Sequence, residues 1–141
     1  MTCTNSLALV QANQTHITMN ANKISNAQVV QTLIIHGFRL HGSRVSPEGH
    51  RPNADWDFFG TQEMWDNLPA EVRKRFCFSK CCNYWDHNTY AVYRNPVIDV
   101  QIVKNLEKKQ AMEQFVLENP WMLAMPKGAR PKLWNYVYNH L

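Results

Sequence analysis

Apolar residues recur along this chain at two spacings, one typical of helices and one typical of strands. In the segment SNAQVVQTLIIHG, four of them repeat at helical spacing: Ala27, Val30, Leu33 and Ile34. Ser25 can cap the start of such a helix, and Gly37 can end it. The pattern therefore predicts a helix over about residues 26 to 36.

Strand-like alternation follows in later segments. FRLHG predicts a short strand that ends at Gly42, and ADWDFFG predicts a second strand. Between them, the segment VSPEGHRPN holds two prolines and one glycine and predicts a loop. TYAVYR and VIDVQIV flank Asn95 and Pro96, which predicts a β-hairpin.

Helical spacing returns after the second strand and near the C-terminus. Thr61 can cap a helix that runs to Pro69, and AEVRKRF predicts a further short amphipathic turn. NLEKKQAMEQFVLENP predicts a helix that breaks at Pro120, and Pro131 suits the first turn of a last short helix. FCFSKCCNYWDHN has no regular period, and the polar residues 1–22 predict a loosely ordered arm.

The length and composition of the chain favour one domain that contains both helices and strands. A chain of 141 residues with 45% hydrophobic residues can bury one core and is short for two. We expect residues 23–141 to form a single α/β domain, or α+β in stricter usage, with helices on one face of a small mixed sheet. No apolar run has the length of a membrane helix and no basic leader begins the chain, so a soluble cytoplasmic protein is expected.

Three aspartates fall on the polar faces of predicted strands. Asp55 and Asp57 share one face of their strand, because side chains alternate and Trp56 lies between them. Asp99 lies between two apolar residues of the second hairpin strand. Magnesium prefers carboxylate oxygens, and two such ions can hold the attacking and leaving oxygens of a phosphoryl displacement. The alternative for each acid is a solvated, outward side chain.

A Gly-Ser-Arg turn precedes these acids. Gly42 would let the backbone approach a triphosphate, Ser43 and the exposed amides can donate to its oxygens, and Arg44 can offset its charge. The net charge of +4 suits a phosphate-bearing partner and equally suits simple solubility. Donors and acids would thus face each other across a nucleotide.

In this order, the residues resemble the nucleotidyltransferases of the DNA polymerase β superfamily, and in length the small single-domain members. That family carries a helix, a strand that ends in Gly-Ser, a spacer, an acid-apolar-acid strand and a third acid on a later strand. The resemblance covers roughly residues 25–103 of this chain.

The resemblance implies a role for each residue of the motif. Gly42 and Ser43 would hold the nucleotide phosphates, with Arg44 as a further contact, and Asp99 would also help to activate the acceptor hydroxyl. Two Mg²⁺ ions, which Mn²⁺ could replace, are the implied cofactors. Their implied ligands, which are also the catalytic residues, are Asp55, Asp57 and Asp99.

The implied activity is transfer of a nucleoside monophosphate from an NTP to a hydroxyl acceptor, with release of pyrophosphate. Because no second domain is evident, a protein or RNA acceptor is expected rather than a small molecule, and the oligomeric state stays open. An alternative from another class is a catalytically silent interaction or inhibitor protein on the same scaffold, which would need neither metal nor NTP.

The cysteines allow two interpretations. The adjacent Cys81 and Cys82 do not resemble a secreted disulfide framework, so reduced thiols are expected. Together with Cys77 and His87, these thiols could instead bind zinc and stabilise a nucleic-acid-binding module, although the ligands crowd one segment.

Three further sets of residues are expected to have ordinary structural roles. The histidines near the motif are expected to be exposed or hydrogen-bonded: His36, His41 and His50. The lysines after the hairpin are expected on a solvated helix face: Lys104, Lys108 and Lys109. The C-terminal aromatic residues are expected to pack in the core: Trp121, Trp134, Tyr136 and Tyr138.

Overall fold

The computed structural model describes residues 24–45, 49–79, 88–126 and 128–141. The strands are β1 (Arg39–His41), β2 (Trp56–Gly60), β3 (Cys77–Ser79), β4 (Thr89–Arg94) and β5 (Ile98–Val103). The α-helices are α1 (Asn26–Ile35), α2 (Gln62–Asp66), α3 (Ala70–Arg73), α4 (Leu106–Glu118) and α5 (Arg130–Asn139), with 3-10 helices at Gly42–Val45 and Pro120–Ala124. The predicted arm at residues 1–22 lies outside the described residues.

The five strands form one mixed sheet in the order β1-β2-β5-β4-β3. Strands β2 and β5 run parallel, and the other neighbouring pairs are antiparallel. The parallel pairing sets Asp57 beside Asp99, while on its other side Asp57 pairs with His41 of β1. This confirms the predicted mixed α/β sheet.

Local capping explains where the first helices begin. The Ser25 side chain accepts a hydrogen bond from the backbone of Gln28, whose side chain in turn accepts one from the Ser25 amide. Thr61 caps α2 in the same position relative to its helix, as predicted. The apolar face of α1 then buries Val29 and Leu33 completely.

The main core lies between one face of the sheet and helices α1 to α3. Apolar residues from alternate positions of β2 and β5 form its floor: Phe58, Ile98, Val100 and Ile102, all fully buried. The helices cover this floor with residues such as Leu33, Trp65 and Val72. Because strand side chains alternate, the residues between these positions face the other side of the sheet.

Helix α4 contacts that other side, where the sequence predicted no helix. Lys109 of α4 lies 5.9 Å from the centre of the Phe59 ring, and Glu113 lies 3.2 Å from His41 of β1. Phe59 is consequently only 2% exposed although it faces away from the main core. The sheet is thus covered by helices α1 to α3 on one face and in part by α4 on the other.

A second, smaller core joins α4, the following 3-10 helix and α5. Its buried members are Met112, Val116, Met122, Trp134 and Tyr138. The prediction of core packing is confirmed for Trp134 and Tyr138, but Trp121 and Tyr136 are 55% and 62% exposed. Only part of the C-terminal aromatic stripe therefore stabilises the fold.

Two strand assignments differ from the sequence prediction. Cys77–Ser79 was predicted to be irregular but forms the edge strand β3, paired with β4. Strand β2 begins at Trp56, so Asp55 lies just outside it. The predicted hairpin of β4 and β5 is confirmed, with Asn95 accepting hydrogen bonds from the backbone of Val97 and Ile98.

Cys77 is disulfide-bonded, so the expectation of reduced thiols is wrong for this residue. Cys3, Cys81, Cys82 and His87 lie outside the described residues. A disulfide removes the thiolate that zinc would need from Cys77. Separately, none of the helices in the described ranges is long and apolar enough to cross a membrane.

Candidate functional site

Two aspartates lie side by side on the face of the sheet opposite the main core. Asp57 and Asp99 are directly aligned in the parallel pairing of β2 and β5. Each is half-buried and flanked along its strand by residues that pack toward the core. Because neighbouring strands are about 4.8 Å apart, both carboxylates occupy one small region of this face.

The surroundings make these carboxylates costly to ionise. Burial raises the pKa of Asp57, and the charges of Asp99, Asp55 and Glu113 raise it further, while His41 opposes them. An ionised carboxylate here therefore repels its neighbours at neutral pH.

The pKa of Asp99 is also raised, although two cationic side chains oppose the rise instead of one. Burial raises its pKa, Arg94 and His41 lower it, and Asp55 raises it. The Nε atom of Arg94 lies 3.6 Å from the Asp99 Oδ1 atom. This guanidinium is about half exposed, so it only partly neutralises the acid.

The third predicted acid, Asp55, is exposed and lies one residue before β2. Its charge raises the pKa of both Asp57 and Asp99, so it lies close enough to act on the pair. The structure thus brings the three aspartates into one neighbourhood, with Asp55 at its solvent-exposed edge.

Gly42 lies close to Asp57, one member of this acid pair. Its φ of 77° belongs to the left-handed region that favours glycine. A Cβ atom at this position would lie only 2.7 Å from the Asp57 Oδ2 atom. Glycine is therefore required on two grounds, and the Gly42–Val45 turn, with the exposed Ser43, begins beside the Asp57 carboxylate.

Arg44 is engaged with the loop that leads into β2. Its Nε and Nη2 atoms donate hydrogen bonds of 3.0 and 2.7 Å to the carbonyl oxygen of Ala54. Its guanidinium also lies 3.8 Å from the centre of the Trp56 ring. Arg44 therefore fixes the two residues that flank Asp55, and its predicted contact with a phosphate stays a prediction.

Three residues for which the sequence analysis predicted no part in the site form a largely buried charge network beside the acids. His41 Nδ1 and Lys109 Nζ each lie 3.2 Å from the Glu113 Oε1 atom. Lys109, expected on a solvated helix face, is only 2% exposed, whereas Lys104 is exposed as expected. The i, i+4 spacing of Lys109 and Glu113 was visible in the sequence, but it normally indicates a surface pair.

The carboxylates of Asp57 and Asp99 are the kind of ligand that a hard divalent cation prefers. Within residues 24–45, 49–79, 88–126 and 128–141, no group of three or more His, Cys, Asp or Glu side chains is gathered to hold a metal ion. Two half-buried carboxylates are nevertheless what magnesium commonly takes from a protein, the remaining ligands being water and substrate phosphates. The residues present therefore fit magnesium bound together with a nucleotide.

A cavity of about 570 Å³ lies near the C-terminal ends of β2 and β5, where Thr61, Tyr90 and Lys104 contribute to its lining. None of the three aspartates lines it. This cavity is therefore a feature separate from the acid pair.

Comparison of the chain with protein-family models, with curated proteins and with solved structures finds no match. The functional assignment accordingly depends on the residues and geometry described above.

The raised pKa of Asp57 predicts that this acid lowers the stability of the fold at neutral pH. A carboxyl group whose folded pKa exceeds its ordinary value of 3.8 contributes stability below that pH and loses it as the pH rises through the folded pKa. We expect Asp57→Asn to raise the urea midpoint at about pH 7 and to give no such gain near about pH 3. Asp66→Asn, on the exposed side of α2, is the control. An unchanged or lower midpoint for Asp57→Asn at neutral pH would contradict this account.

The contacts of Arg44 predict a second stability effect. A lysine at position 44 cannot keep both hydrogen bonds to Ala54 or the planar stack on Trp56. We therefore expect Arg44→Lys to lower the free energy of unfolding by about 1 to 2 kcal/mol. Arg51→Lys, an exposed change in the same loop, is the matched control. Equilibrium urea unfolding measures both variants, and equal midpoints for the two would show that the Arg44 contacts contribute nothing.

Proposed function

We propose that this protein is a metal-dependent nucleotidyltransferase, which moves a nucleoside monophosphate from an NTP to a hydroxyl group and releases pyrophosphate. The observation that carries the proposal is the alignment of Asp57 with Asp99 on parallel strands, with the Gly42 turn packed against Asp57. This arrangement supports the proposal because two carboxylates that could bind a metal ion lie near a turn that could donate hydrogen bonds to phosphates.

The electrostatics of the acid pair support cation binding. Asp57 and Asp99 are both half-buried, and the pKa of each is raised by burial and by neighbouring acids. A divalent cation between such groups would remove their repulsion, so part of its binding energy would come from relief of an existing cost. Asp55, at the exposed edge, would be the third ligand that a second ion requires.

The Gly42–Val45 turn would hold the other part of the nucleotide. Gly42 permits close approach of the backbone, and the exposed Ser43 hydroxyl can donate to phosphate oxygens. Bound magnesium would supply charge neutralisation at the phosphates and a lowered pKa for the attacking hydroxyl. The residues of this chain would bind and orient the NTP so that its α-phosphorus faces the acceptor.

The proposed reaction is balanced without a further reactant. The acceptor oxygen forms a bond with the α-phosphorus, and the bond from that phosphorus to the oxygen shared with the β-phosphate breaks. The acceptor proton is released, with Asp99 as the nearby carboxylate that can receive it. Pyrophosphate leaves with the electron pair of the broken bond.

The exposure of Asp55 and Ser43 at the edge of the site favours a protein or RNA acceptor over a small molecule. The exposed positions of Asp55 and Ser43 leave room for a large acceptor, and the described cavity lies elsewhere. The net charge of +4 would assist an RNA acceptor in particular. We place the reaction in the cytoplasm, which supplies NTPs, although the disulfide at Cys77 is a feature more common in oxidising compartments.

Calorimetric titration of the four NTPs, with and without magnesium, tests the proposed site. We expect at least one NTP to bind in a magnesium-dependent manner, and Asp57→Asn and Asp99→Asn to weaken that binding about tenfold or more, or about 1.4 kcal/mol. Asp66→Asn is the control, because it removes the same charge from an exposed position on α2.

Two outcomes would count against the proposal. If wild type binds no NTP with magnesium, the site does not exist. If an NTP binds but no pyrophosphate is released with RNA or cellular proteins as acceptors, the catalytically silent interaction protein becomes the better assignment.

A further inference from the structure

Helix α4 is attached to the acid face through one buried carboxylate. Glu113 Oε1 lies 3.2 Å from both His41 Nδ1 and Lys109 Nζ, and the His41 and Lys109 side chains are 10% and 2% exposed. Burial raises the pKa of Glu113, but the hydrogen bond and charge of His41, followed by those of Lys109, outweigh it and lower the pKa to about 2. Glu113 is thus an ionised group held by two donors.

The start of α4 is fixed independently of this network. The Asn88 side chain accepts hydrogen bonds from the amides of Lys104 and Asn105 and donates one to the Asn105 carbonyl oxygen. The Asn105 side chain caps the helix by accepting from the amide of Lys108. The position of Glu113 along the sheet is therefore set by the fold before any ligand binds.

On the other side of the network, His41 leads directly into the candidate phosphate turn. It is the last residue of β1, it pairs with Asp57 in the sheet, and the next residue is Gly42. Its ring also meets the Phe59 ring edge-on, with the ring centres 5.3 Å apart. The His41 backbone is therefore continuous with Gly42, where an added Cβ atom would lie only 2.7 Å from the Asp57 Oδ2 atom.

The second ring nitrogen of His41, Nε2, is buried and has no hydrogen-bond partner among the described residues. A buried polar atom without a partner is uncommon, and such atoms often mark a constraint other than stability. The charge of His41 also opposes the rise in the pKa of Asp57 and Asp99.

We propose that His41 and Glu113 are positioning residues of the nucleotide site: Glu113 holds the His41 ring, and the ring holds Gly42 against Asp57 so that the carboxylate is oriented for metal-bound NTP. This inference rests on the proposed nucleotidyltransferase function and adds two residues that lie outside the motif. Neither residue needs to touch the nucleotide.

Two variants separate positioning from folding. His41→Phe keeps an aromatic ring against Phe59 and removes the bond to Glu113, which retains Lys109 as its partner. Glu113→Gln keeps the shape of the side chain and removes its charge. Glu118→Gln, an exposed change on the same helix, is the matched control. If Glu113→Gln does not fold, the positioning role is tested with His41→Phe alone.

The measurements are calorimetric titration of magnesium with NTP, titration of NTP without metal, and thermal unfolding of each variant. We expect His41→Phe and Glu113→Gln to reduce the magnesium-dependent gain in NTP affinity about tenfold at temperatures where both are folded, and Glu118→Gln to leave it within about twofold. A purely structural role would lower the unfolding temperature and leave this gain unchanged, which would overturn the inference.

Failure of the inference and failure of the proposed function give different results. If wild type and both variants bind magnesium and NTP equally well, the positioning role is wrong and the nucleotide site stands. If wild type itself binds no NTP, the proposed function is wrong, and the positioning role falls with it.

Discussion

The parallel pairing of β2 with β5 is the constraint on which the rest of the candidate site depends. It aligns Asp57 with Asp99, two residues 42 positions apart in the sequence, on adjacent strands. The same register puts fully buried Phe58 beside fully buried Val100 on the opposite face. A slip of either strand by one residue would turn its own acid toward the main core, so the apolar floor of that core also fixes the register of the acids.

The acid pair illustrates how a candidate site can oppose stability. Burial and the charge of Asp55 raise the pKa of both Asp57 and Asp99, and the charge of Asp99 further raises that of Asp57, so each ionised group costs free energy that the remaining structure must offset. The core beneath them is apolar and closely packed, and Arg94 and His41 only partly compensate from the sides. Such an imbalance is understandable if a cation and a nucleotide complete the site.

Much of the fold followed from local sequence patterns, whereas the contacts between distant residues did not. The capping residues Ser25 and Thr61 and the hairpin at Asn95 were predictable because their signals are local. Strand β3 was missed because its segment, FCFSKCCNYWDHN, has no regular period. The network of Glu113 with His41 was missed because the two residues are far apart in sequence, and a helical Lys-Glu pair normally indicates a solvated surface. The order of glycine, serine and aspartates singled out residues that the fold brings close together, whereas the hydrogen bonds of Arg44 to Ala54 could not be predicted from the sequence.

The proposed function requires that Asp57 and Asp99 form one electrostatically coupled pair that binds a divalent cation. The most direct test is ¹³C NMR titration of the aspartate carboxyl carbons in wild type and Asp99→Asn, each with and without magnesium and a bound NTP. The account predicts that Asp57 titrates above its ordinary pKa of 3.8 in wild type, and that either the Asp99→Asn substitution or the added magnesium and NTP lowers that pKa. An Asp57 pKa that neither change moves would contradict it.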